Sequence, residues 1–128
     1  MEINKDLNYS KNLFDNYFHT FIIAEAGSNW KCGSYEEDLN QAKKLIKIAS
    51  KSGADAVKFQ TYKANTVYAD KAGKSQYLSS QGFTQGINEI FEYLSMPYEM
   101  IPELKENCQK ENIIFMSTPF SVEDAKNI

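Results

Sequence analysis

Cysteine, histidine and long apolar runs are all scarce in this chain, and each scarcity closes off a class of function. The two cysteines, Cys32 and Cys108, lie far apart and form no C-x-x-C pair, so a disulfide is not expected in a reducing cytosol. The one histidine, His19, has no nearby partners in sequence and makes a poor metal site. No apolar run approaches membrane-spanning length, and the N-terminus lacks the charged-then-apolar pattern of a signal peptide. A cytoplasmic protein with no membrane partner is therefore expected. Basic residues are not in surplus either: the formal net charge is -3 and no basic stripe is present, which argues against a nucleic-acid partner. Neither G-x-G-x-x-G nor G-K-[ST] occurs, so dinucleotide and ATP sites are unsupported.

What is present is an ordinary soluble composition, 42% hydrophobic and 24% charged, arranged as apolar strands that run into polar residues. The strand pieces are read at 21–25, 54–61 and 113–120, the last ending in Ser117-Thr118-Pro119-Phe120. Their near-continuous apolar runs suit strands covered on both faces. Ser34 and Glu37 form an S-x-x-E capping box that opens a helix. Leu39, Ala42, Leu45, Ile46 and Ala49 give this helix one apolar face, and Gly53 is its natural stop. Strand, helix and strand in this order make a parallel βαβ unit. A second helix is read over 95–112, with Tyr98, Ile101, Leu104 and Cys108 on its apolar face and Pro97 and Pro102 near its start. Ser121-Val122-Glu123-Asp124 opens a third helix, inside which the chain stops, as expected for a piece of a longer protein.

The rhythm is interrupted twice. Residues 1–20 form an N-terminal extension without periodicity. Residues 62–97, with Tyr62, Tyr68, Tyr77 and a short helical pattern at Ile87, Ile90, Phe91 and Leu94, are too long for an ordinary βα loop. A lid or interface segment is the favoured reading, with a solvent-exposed decoration as the alternative.

In a parallel α/β protein the chemistry gathers at the C-terminal ends of the strands. Alternation puts Ala56, Lys58 and Gln60 on one strand face, with Val57 and Phe59 turned toward the helices. A buried ammonium needs an anion, and Glu25 or a ligand phosphate or carboxylate would supply it, unless Lys58 simply reaches solvent. Glu25 suits proton transfer or sugar binding and equally suits a structural partnership with Lys58. Asn29 offers an amide to a ligand or forms a turn. Ser117 and Thr118 offer hydroxyls to phosphate oxygens, although that string also suits an ordinary strand-to-loop turn. Cys108 reads as a small core residue, and Cys32 as a passive loop residue beside the site.

Taken together, I-I-A-E-A-G-S-N, G-A-D-A-V-K-F-Q-T-Y-K and F-M-S-T-P-F resemble the N-terminal part of the sialic acid synthase (N-acetylneuraminate synthase) family, over residues 21–128. The resemblance implies the first three βα units of a (β/α)8 TIM barrel. At 128 residues the chain is about half the length such a barrel needs. The implied reaction condenses phosphoenolpyruvate with a 2-acetamido sugar aldehyde such as N-acetylmannosamine and releases phosphate. A divalent metal, Mn or Mg, is expected, with its ligands outside this chain, and the full-length protein is expected to be a homodimer.

By the same resemblance Glu25, Lys58 and Gln60 are candidate catalytic residues. Asn29, Lys58, Gln60, Ser117, Thr118 and Phe120 are candidate substrate-binding residues. Many relatives carry Asn-His-x-Gly where this chain has Asn29-Trp30-Lys31-Cys32-Gly33, which leaves the sugar open, legionaminic and pseudaminic acids included. The isolated chain is expected to be inactive. Another phosphoenolpyruvate–aldose condensing barrel is the enzymatic alternative, and a split-barrel module or relic the non-catalytic one.

Overall fold

The structure, a computed structural model, describes residues 20–67, 73–74, 79–80, 82 and 85–128. The N-terminal extension up to and including His19, and Tyr68 and Tyr77 of the long insertion, lie outside the described residues. Three strands, β1 (Ile23–Gly27), β2 (Ala56–Thr61) and β3 (Ile114–Pro119), form a parallel sheet in the order β1-β2-β3. The helices are α1 (Tyr35–Lys51), α2 (Ala64–Val67), α3 (Ile87–Tyr93), α4 (Met100–Lys110) and α5 (Val122–Asn127). Each strand leads into a helical segment, so all three strand ends that bear the candidate residues lie at one edge.

Helix α1 starts where its capping box puts it. Ser34 Oγ accepts from the Glu37 N–H, and the Ser34 N–H donates to Glu37 Oε2 at 2.7 Å. Glu36, Glu37 and Asp38 in the first turn oppose the positive end of the helix dipole. Gly53, at φ +82°, takes the left-handed conformation that ends α1 and turns the chain into β2.

Helix α4 is shorter than its 95–112 reading. It begins at Met100, because Pro97 disfavours helix for the residue before it, and the Met100 and Ile101 N–H groups close turns onto the Pro97 and Tyr98 carbonyls. Pro102 then falls in the first turn, where no intrahelical donor is missed. Asn112 ends the element at φ +53°.

Helices α1 and α4 cover one face of the sheet. Val57 and Phe59 from β2 pack with Ala42, Ile46, Ile101, Leu104 and Cys108, all nearly inaccessible. Each fully buried large aliphatic or aromatic side chain here is worth roughly 1.5–3 kcal/mol. Phe59 stacks on Phe115 at 5.9 Å, the neighbouring position of β3 on the same face. The Cys108 thiol is pushed up to about 12 by burial, in keeping with a core role. Among the described residues no helix packs on the opposite face, which carries Ile23, Glu25, Lys58, Gln60 and Thr118, and Ile23 is 41% exposed. Among the described residues, no helix is long and apolar enough to cross a membrane.

Candidate active site

The register places Glu25 beside Lys58 and Lys58 beside Met116, with Gln60 beside Thr118 one step nearer the C-terminal edge. Paired residues of a parallel ladder face the same way, so Glu25, Lys58, Gln60 and Thr118 share the open face. Lys58 Nζ lies 2.6 Å from Glu25 Oε2, so the carboxylate next door is the anion the ammonium needs. The second carboxylate oxygen, Oε1, accepts from the Gly27 N–H at 3.1 Å. That bond forms because β1 bulges between Glu25 and Gly27, with Gly27 at φ +52°. The ammonium uses one of its three donors on Glu25, which leaves capacity for a substrate anion.

Ser117 is placed differently from Thr118. It pairs with Phe59 in the ladder and faces the helix side, where its hydroxyl lies 2.6 Å from Thr61 Oγ1. Adjacent strand residues face opposite sides, so the two hydroxyls do not form one donor pair. Thr118 is exposed on the open face. Phe120, 45% exposed, sets its ring edge-on to Tyr62 at 5.5 Å.

Asn29 is exposed at the turn after β1, with its N–H on the Ala26 carbonyl. The loop around it is held from behind. Asp38, almost fully buried, accepts from Lys31 Nζ at 2.5 Å and from the N–H groups of Cys32 and Gly33 at 2.7 and 2.9 Å. Burial pushes this carboxyl up, but the Cys32 N–H, the Lys31 ammonium and the Gly33 N–H together outweigh it and hold the carboxyl below its ordinary value. Lys31 also sits 4.9 Å from the Tyr93 ring centroid, joining the loop to α3. Trp30 is 1% exposed and belongs to the core cluster. Its role is packing in the core.

Sequence reasoning missed Asp38 and the joint formed by Tyr98, Ser121 and Asp124. Tyr98 Oη and Ser121 Oγ each donate to the buried Asp124 carboxylate at 2.7 Å. The bond to Asp124, more than burial, pushes the Tyr98 phenol up to about 12. The S-x-x-D start of α5 was the available signal, but its third partner comes from a distant segment. Among the described residues, no group of three or more His, Cys, Asp or Glu side chains is placed to hold a metal. Glu25 alone, already engaged with Lys58 and Gly27, does not fit such a centre.

Three parallel βα units with a carboxylate–ammonium pair at their C-terminal edge define the class: an α/β fold of the kind that builds a partial barrel. Residues 45–128 match the NeuB family, and the chain belongs to that family. It is 43% identical over 105 residues to the N,N'-diacetyllegionaminic acid synthase of Campylobacter jejuni, covering 81% of this chain and 30% of that protein. It is 34% identical over 108 residues to a pseudaminic acid synthase of the same species, covering 83% of this chain and 30% of the relative. The crystal structure of the N-acetylneuraminic acid synthetase of Leptospira borgpetersenii superposes with a TM-score of 0.61 at 30% identity, covering 84% of this chain and 31% of that one. The chain thus spans about a third of the length of these relatives, and its three βα units correspond to part of their barrel.

Proposed function

We propose that this chain supplies the first βα units of a nonulosonic acid synthase. The enzyme would join phosphoenolpyruvate to the open-chain aldehyde of a 2-acetamido sugar. The observation that carries the reading is the Lys58–Glu25 pair on the open face beside Gln60 and Thr118, in a chain of the NeuB family. In the reaction, the methylene carbon of the enol phosphate bonds to the aldehyde carbon, whose oxygen takes up a proton and becomes a hydroxyl. Water adds to the carbon bearing the phosphate, a proton leaves, and the carbon–oxygen bond to phosphate breaks to release inorganic phosphate.

Lys58, with donors to spare, binds the phosphate or carboxylate of the enol substrate through charge-assisted bonds, and Gln60 and Thr118 add neutral ones. Glu25 orients a sugar hydroxyl or moves the proton at the aldehyde oxygen. Asn29 offers its amide to the sugar. Ser117 supports the strand end through Thr61. Any divalent cation would take its ligands from residues outside this chain.

The higher identity to a relative whose named product carries two N-acetyl groups favours a diacetamido sugar over N-acetylmannosamine. The test uses the protein expressed from its natural gene, incubated with phosphoenolpyruvate and a panel of acetamido sugars, arabinose 5-phosphate and erythrose 4-phosphate. Phosphate release with a nonulosonic acid detected by mass spectrometry is the expected result. Turnover with the sugar phosphates alone would instead identify an eight- or seven-carbon sugar acid synthase.

A further inference from the structure

Tyr62, buried just past the end of β2, touches all three segments that carry the candidate site. It follows β2 directly and is 1% exposed. Its hydroxyl lies 3.2 Å from the Leu94 carbonyl oxygen and 3.4 Å from Ser28 Oγ. A phenol has one proton to give. With that proton on the Leu94 carbonyl, the Ser28 hydroxyl is the donor in the second bond. The Tyr62 oxygen therefore joins the turn after β1 to the residue after α3. Its backbone carbonyl accepts from Ser95 Oγ at 2.6 Å, and its ring meets Phe91 at 5.3 Å and the edge of Phe120 at 5.5 Å.

From this junction we infer that Tyr62 is a positioning residue for the sugar side of the reaction, an inference that rests on the synthase reading above. Lys58, Gln60 and Thr118 stand on paired strands, whose ladder bonds hold them without the Tyr62 hydroxyl. Asn29 stands on a turn, next to the serine that the hydroxyl holds. Loss of the hydroxyl thus loosens Asn29 selectively and leaves the phosphoenolpyruvate groups in place. Tyr62 acts through the turn and touches no substrate itself.

The experiment compares Tyr62→Phe and Ser28→Ala with the wild type, in the protein expressed from its natural gene. Tyr62→Phe keeps the ring contacts with Phe91 and Phe120, and each variant breaks the same hydroxyl pair. Both are expected to raise the KM for the acetamido sugar about fivefold, the ratio that one neutral hydrogen bond commonly supplies. The KM for phosphoenolpyruvate and kcat should stay within about twofold of the wild type, inside the span of a weak contact. Equal changes in both KM values, or a lower melting temperature with neither KM altered, would reduce Tyr62 to a packing residue and overturn the inference.

A wild type inactive on every acetamido sugar would sink the synthase reading, and with it the sugar-side role. The turn would still be tested by acrylamide quenching of Trp30, the one tryptophan, buried beside Asn29. Faster quenching in Tyr62→Phe would support the tie, and unchanged quenching would overturn it.

Discussion

Glu25 and Lys58 meet at 2.6 Å with side chains 49% and 30% exposed, so their contact contributes on the order of 1 kcal/mol or less to stability. On the proposed reading its value is chemical. Glu25→Gln keeps the shape and the Gly27 bond but removes the charge. The expected outcome is a loss of roughly 100-fold or more in condensation rate, with an unchanged far-UV circular dichroism spectrum; full activity would remove Glu25 from the mechanism. The two cysteines separate at the same scale. Cys32 is exposed and Cys108 is buried, with its thiol pushed up to about 12. Titration with a disulfide reagent at neutral pH should modify Cys32 in the native protein, and Cys108 only after denaturant is added.

At the scale of elements, the loop between β1 and α1 depends on a charged anchor. The Asp38 carboxyl is held below its ordinary value in the folded protein, so the folded state binds fewer protons than the unfolded state across that interval. The stability this adds is fully present above the unfolded-state value and is lost as the pH falls through the lower folded-state value. Urea midpoints measured between about pH 6 and pH 3 should fall less steeply for Asp38→Ala than for the wild type, around the ordinary carboxylate pKa near 4. The variant should also be less stable at neutral pH, because the Cys32 and Gly33 N–H groups and the Lys31 ammonium lose their acceptor. Equal slopes would show that Asp38 carries no folding-linked proton.

For the whole molecule, the two faces of the sheet are unequal. Helices α1 and α4 bury one, while Ile23 lies 41% exposed on the other, and among the described residues β1 and β3 are both edge strands. Unpaired edges beside an apolar surface template association. Expressed alone, residues 1–128 should sediment as concentration-dependent oligomers, and Ile23→Lys should shift them toward the monomer. A wild-type chain that stays monomeric across a hundredfold concentration range would contradict this.

Much of this arrangement was legible in the residues themselves. The capping box at Ser34 and Glu37, the stop at Gly53 and the alternation of Val57, Lys58, Phe59 and Gln60 are local consequences of hydrogen-bonding capacity and strand pleat, and each holds in the fold. The strands, their parallel order and the family motifs followed from the same short-range pattern. Other features needed the tertiary structure, because they depend on segments far apart in the chain. Strand register set Glu25 against Lys58 and brought the Ser117 hydroxyl to Thr61. Burial made Trp30 a core residue, and Asp38 became an anchor only where three donors converged on it. Tyr62 became a junction because the ends of β1, β2 and β3 lie side by side, a proximity that no local periodicity encodes.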